Sequence, residues 1–169
     1  MKTIKVLTLW QPWASLIMIG GKPWEFRSWS YVARGVGVRI GDTIGIHAGA
    51  RPIKPEEVKD LLERLDDADN STGLIPAVAR PLLERLDRAW KCRGIIEMSA
   101  LLGTARIGKP VRSCELKPEW AEFINDSDRL EHSNWAWPMT EIHRFEIPIM
   151  VAGHQGFWNC RIPDQEIAA

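Results

Sequence analysis

Three charged side chains, Lys22, Glu25 and Arg27, crowd into the short stretch Gly-Gly-Lys-Pro-Trp-Glu-Phe-Arg that begins at Gly20. A carboxylate with a cation on either side is kept as an anion. Such a group accepts well from an exocyclic amine or a ring N–H and is a poor general acid. The same trio serves equally as a structural ion cluster closing the mouth of a barrel, and residue types alone leave both readings open.

Other residues fit the same cleft chemistry. His47 ends an apolar stretch and can contact a phosphate or act as a base, or it can be a hydrogen-bonded structural residue. Trp135 and Trp137 are two apart, so on a strand they share one face, as a wall for a base or as core. Trp29 alternates with Glu25 and Arg27. Gln155 precedes Gly156, where the backbone can approach closely. The Gln11 amide stands at a helix entry, where it either caps the helix or reads a ligand edge. Ser28 and Thr43 have no neighbouring His/Asp partner, so no nucleophile triad can be argued.

Positioning these groups requires particular elements. Residues 3–9 alternate and are rich in β-branched types, which predicts a strand. Pro12 suits the first turn of a helix, "WASLIMI" is apolar throughout, and Gly20-Gly21 stops it. In the strand that follows, Trp24 and Phe26 face one side and Glu25 and Arg27 the other. A second strand runs from about Thr43 to His47. Residues 51–92 then read as an insertion of two amphipathic helices, Leu61, Leu62 and Leu65 marking one and Leu82, Leu83, Leu86 and Trp90 the other. Strands follow around Gly103, a short helix around "KPEWAEFI", and alternation in the last third broken by Pro138, Pro148 and Gly153. The order β-α-β-β, helical insert, then mostly β gives an α+β class, with a closed or nearly closed barrel expected.

The length of 169 residues suits one domain with an inserted element, and 45% apolar residues allow a core. Nine tryptophans against one tyrosine is the unusual feature of composition: the rings either fill a small barrel or stack on flat ligands. Cys92, Cys114 and Cys160 lie far apart, so no structural zinc site is expected, nor any other metal or cofactor. Sparse cysteines fit a reducing cytosol. No secretory signal pattern and no apolar run of membrane-spanning length is present, so a cytoplasmic chain with no membrane partner is expected.

Zero net charge excludes a uniformly basic chain but hides strong local imbalance. Residues 20–54 hold Lys22, Arg27, Arg34, Arg39, Arg51 and Lys54 against Glu25 and Asp42, and residues 88–117 are more basic still. Residues 55–69 are strongly acidic. If the basic regions share a face they form a phosphate-tracking surface. The acidic helix is expected to point away from nucleic acid, and the helical insertion is the element on which a protein partner would dock.

The stretch "QPWASLIMIGGKPWEFRSW" resembles the opening motif of the ASCH domains, a branch of the PUA-like superfamily: Gln-Pro-Trp, a buried helix, then Gly-x-Lys-x-x-Glu-x-Arg. "IGIHAG" at 44–49, "RGIIEMSALLG" at 93–103, "NWAW" at 134–137 and "GHQGFWN" at 153–159 continue the likeness, which spans about residues 4–161 and explains the insert least. The resemblance implies a PUA-like β-barrel with flanking helices and a cleft over its mouth that binds RNA or a modified nucleoside. Some members look like weak ribonucleases, and metal-independent cleavage needs a general base and a cation for the phosphorane, roles the resemblance gives to Glu25 with Lys22 and Arg27. One bacterial branch removes the acetyl group from N4-acetylcytidine with a Lys and a Thr of this motif. Lys22 matches that Lys, but Glu25 stands where the Thr would be, and a carboxylate cannot be the same hydroxyl nucleophile. Binding of an RNA or nucleotide ligand, with Gln11, Lys22, Glu25, Arg27, Trp29, His47, Trp135, Trp137 and Gln155 as candidate contacts, is therefore the leading expectation. A ribonuclease or an amidohydrolase is the alternative.

Overall fold

The computed structural model describes residues 1–67, 71–89, 96–116 and 124–163. Seven strands form one sheet and four helices accompany it: β1 (Lys2–Leu9), α1 (Trp13–Met18), β2 (Trp24–Arg27), α2 (Tyr31–Arg34), β3 (Thr43–Ala48), α3 (Pro55–Asp66), α4 (Pro76–Arg88), β4 (Ala100–Ile107), β5 (Val111–Arg112), β6 (Trp135–Met150) and β7 (Phe157–Ile162). The class is mixed α+β. The short helix expected around "KPEWAEFI" lies outside the described residues, as do Trp90 and Cys92.

The sheet runs β2-β6-β4-β3-β1-β7, with β5 also on β6. β1 and β3 are parallel, as a strand, a helix-containing crossover and a returning strand permit, and the other ladders are antiparallel. The sheet curls strongly. Trp137 of β6 and Phe157 of β7 stand four strand positions apart, yet their rings stack at 5.9 Å. Cys160 and Ile162 of β7 likewise share a core cluster with Phe145 of β6. No ladder joins the outermost strands β2 and β7 among the described residues, so the sheet is curled but not closed.

β6 runs unbroken through Pro138 and Pro148, where the alternation predicted interruptions. Beyond Met139 it has a ladder on one side only, with β4, and an edge tolerates a residue without an N–H. At Pro138 the backbone is still used, since its carbonyl accepts from Gly108 N at 2.9 Å.

Two cores flank α1, which explains why this helix has no polar face. On one side Ala14, Ile17 and Met18 join Leu7, Ile44, Leu102 and the fully buried Tyr31 and Trp137 inside the curl. On the other, Trp13 and Leu16 meet Val58, Leu61 and Leu65 of α3 and Leu82, Leu83 and Leu86 of α4. These two helices thus form a second layer packed on α1, with the acidic face of α3 largely outward. Gly20, in the left-handed region at φ 76°, ends α1, and the following amides of Gly21 and Lys22 turn back onto the Leu16 carbonyl. Gly21 in turn accepts at its carbonyl from Ile75 N, tying the insertion to this turn. No helix among the described residues is long and apolar enough to cross a membrane.

Candidate functional site

The glycine turn sends the Lys22 side chain inward, where only 1% of it is exposed. Its ammonium lies 3.3 Å from Glu25 Oε2 and against the carboxylate of Asp126. Glu25 Oε1 lies 2.8 Å from Arg27 Nε, an ion contact off the line of a hydrogen bond. Glu25 therefore sits between two cations, and Lys22 between two carboxylates. Phe26 points under this group, its ring centre 5.2 Å from the Lys22 ammonium.

Asp126 arrives from a loop 104 positions away in sequence. Four tethers hold that loop. Trp13 Nε1 of α1 donates to the Asp126 carbonyl at 2.8 Å. Arg64 of α3 donates to the Asn125 carbonyl, and the Asn125 amide N–H donates to Ser71 O at 3.0 Å. Asn125 Nδ2 donates to Ser133 Oγ at 2.8 Å, while its Oδ1 accepts from Ser127 N, a local Asx turn. Burial pushes the Asp126 carboxyl above its ordinary range, helped by the charge of Glu25 and opposed by Lys22. An ion cluster this buried adds little to stability compared with apolar packing, which makes its opening toward a cleft informative.

The cleft has a volume of about 460 Å³. Glu25, Arg27 and Asp126 form one end, with Arg129 and His132. Burial and the nearby charges of Arg27 and Arg129 push the His132 pKa down. Thr8, His47, Gly153, His154 and Gln155 also line the cleft. His47 is fully buried; its Nε2 pairs with the Val151 carbonyl at 2.9 Å and its Nδ1 has no partner. A carbonyl only accepts, so Nε2 carries the proton and Nδ1 is a bare acceptor. Burial, together with His154, pushes the His47 pKa down and keeps the ring neutral. Gly153 is required beside it: a Cβ there would lie 2.3 Å from His47 Cε1.

Trp10 lines the cleft and is 38% exposed. Two guanidinium groups stack on it, Arg51 at 3.7 Å and Arg129 at 4.6 Å from the ring centre. Arg51 is fixed by a two-point pair to Glu57 of α3 at 2.7 and 2.8 Å. The acidic helix therefore does not turn wholly away from the cleft, as Glu57 lines it.

Of the candidates named from sequence, Glu25, Arg27, His47 and Gln155 line this cleft and Lys22 lies directly beneath it. Gln11 is fully buried and spends its amide on the fold: Oε1 accepts from Ser15 N, and Nε2 donates to Ser15 Oγ and Glu97 O. Trp137 is core, its indole N–H given to the Trp29 carbonyl at 3.2 Å. Trp29 packs edge-on against Trp137 with Arg34 over its other contacts, and Trp135 lies under Arg112; neither lines the cleft. Among the described residues of the second basic region, Arg88, Arg106 and Lys109 do not line the cleft either, and Arg106 pairs with Glu141.

Sequence reasoning missed Asp126, Trp10, Arg129 and His132. Asp126 and Arg129 fall in a polar loop with no pattern to mark them. Trp10 had a usable signal: it lies between a strand end and Gln11-Pro12, where an exposed ring is sterically simple. Among the described residues, no group of three or more His, Cys, Asp or Glu side chains is placed to hold a metal ion. A scan against protein-family models finds no match to this chain, and a search of curated proteins finds none.

Proposed function

We propose that this chain is an RNA- or nucleotide-binding domain of the ASCH type, its curled sheet a PUA-like barrel and its cleft the site for an unpaired or modified base. One observation carries the reading. A partly exposed indole contacted by two guanidinium groups and a buried, charge-flanked carboxylate line a single cleft. That combination offers a stacking plane, phosphate attraction and an edge acceptor, the three contacts by which single-stranded bases are recognised.

A hydrolase on the same cleft is the second reading. It is favoured by the Lys22 ammonium lying between two carboxylates, one with its pKa raised, a set able to move a proton. One experiment separates the two. The chain is incubated with short single-stranded RNAs and a nucleoside panel, and thermal shift and product mass are followed together. Binding is expected to weaken steeply with salt and in Trp10→Ala, with the RNA recovered intact. Turnover lost in Glu25→Gln would favour the hydrolase. Salt-independent binding that ignores Trp10→Ala would remove the cleft from consideration.

A further inference from the structure

Glu25, buried at the cleft, is an acceptor, and this narrows the ligand. Glu25 Oε1 faces Arg27 and Oε2 faces Lys22, so each oxygen keeps an unused lone pair. Among the described residues no hydroxyl or backbone N–H donates to either. His47 Nδ1 is also unpartnered but lies covered by Gly153, out of reach of a ligand. The donor nearest to Glu25 is Arg27, its Nε buried without a hydrogen-bond partner and its side chain a quarter exposed, and Arg129 and Gln155 are exposed donors.

We infer that the cleft selects a base carrying two adjacent N–H donors, the edge presented by guanine, with Glu25 accepting both. The inference rests on the base-binding reading. Uracil places a carbonyl on each side of its single ring N–H and would set those oxygens against a carboxylate. Adenine and cytosine place one amine beside a bare ring nitrogen, which leaves one Glu25 oxygen facing a lone pair. Guanine alone matches both oxygens at once, and a site built to satisfy buried acceptors rejects the analogue that lacks a donor. Its phosphate would lie outward, toward Arg27 and Arg129, with the base displacing the exposed Arg129 guanidinium from the Trp10 ring.

The test compares mononucleotides on the unaltered chain by calorimetry: guanosine, inosine, adenosine, cytidine and uridine monophosphates. Inosine differs from guanosine by the 2-amino group alone. Guanosine monophosphate is expected to bind tightest, inosine monophosphate about tenfold or more weaker, and uridine monophosphate weakest. In Glu25→Gln the guanosine-to-inosine ratio is expected to fall to about 1, because an amide presents one acceptor and one donor. Equal binding of guanosine and inosine monophosphates overturns the inference and leaves base binding standing. A ratio unchanged in Glu25→Gln does the same. If no nucleotide and no RNA binds, both readings fall. Should Glu25→Gln fail to fold, the ratio on the unaltered chain decides alone.

Discussion

The two sides of the ion cluster differ in how they are made. On the β2 side, Lys22, Glu25 and Arg27 belong to one strand and the turn before it, so local geometry brings them together. On the other side Asp126 is placed by a loop with no ladder of its own, fixed by Trp13, Arg64, Ser71 and Ser133 from three separate parts of the chain. The first carboxylate has two cations beside it and the second has one. The strand side sets the charge of the site. The loop side sets its shape, and depends on tertiary packing to do so.

The largest effect should come from removing the group the two sides share. Lys22→Met leaves two buried carboxylates facing each other, and a loss of about 3–5 kcal/mol is expected in urea unfolding. A loss below about 1 kcal/mol would mean the two carboxylates are separated and solvated on their own. Next is Gly153→Ala at the histidine end, where the added methyl meets His47; a cost of about 1–3 kcal/mol and weaker ligand binding are expected by thermal denaturation and titration. Arg64→Met should loosen the loop side alone. About 1 kcal/mol of stability and a larger share of affinity should be lost, with faster amide exchange confined to the loop and its tethers.

The pH dependence is subtler and separates individual groups. Asp126 has its pKa raised on folding, so its contribution to stability is complete below the unfolded carboxylate range and declines as pH rises through its folded value. Asp126→Asn, which mimics the protonated form, should therefore gain on the unaltered chain as pH increases across that window. His47 and His132 have lowered values, so their contributions are complete above the ordinary histidine range and are lost as pH falls. His132→Gln should flatten that acid limb, leaving the Asp126 window unchanged. Unfolding curves at a series of pH values check both signs.

This contrast also explains what could be read from the sequence. The strand side was legible because β2 follows from alternation and Lys22 from the glycine stop, both short-range rules. Asp126 was not, because no periodicity marks a loop residue whose position is set by hydrogen bonds to distant elements. Trp29, Trp135 and Trp137 share the composition of ring-stacking residues, but their roles depend on which way the sheet curls, and Trp137 ends inside that curl against Phe157. Trp10 and Trp13 are three positions apart, yet one carries two guanidinium groups beside the cleft and the other braces Asp126. The two-helix insertion was legible from its leucine spacing. Its packing on the back of α1 was not, since both partners were simply apolar.

The tethering of the insertion has a consequence for any attempt to move this site to another scaffold. Ile75 is bonded to the turn that launches Lys22, Arg64 grips the chain beside Asp126, and Glu57 steadies the arginine on Trp10. The helices that look most dispensable in a linear diagram act as a splint across three parts of the cleft. A minimal version trimmed to sheet and motif would keep every charged residue of β2 and still lose the alignment between them and the opposing wall.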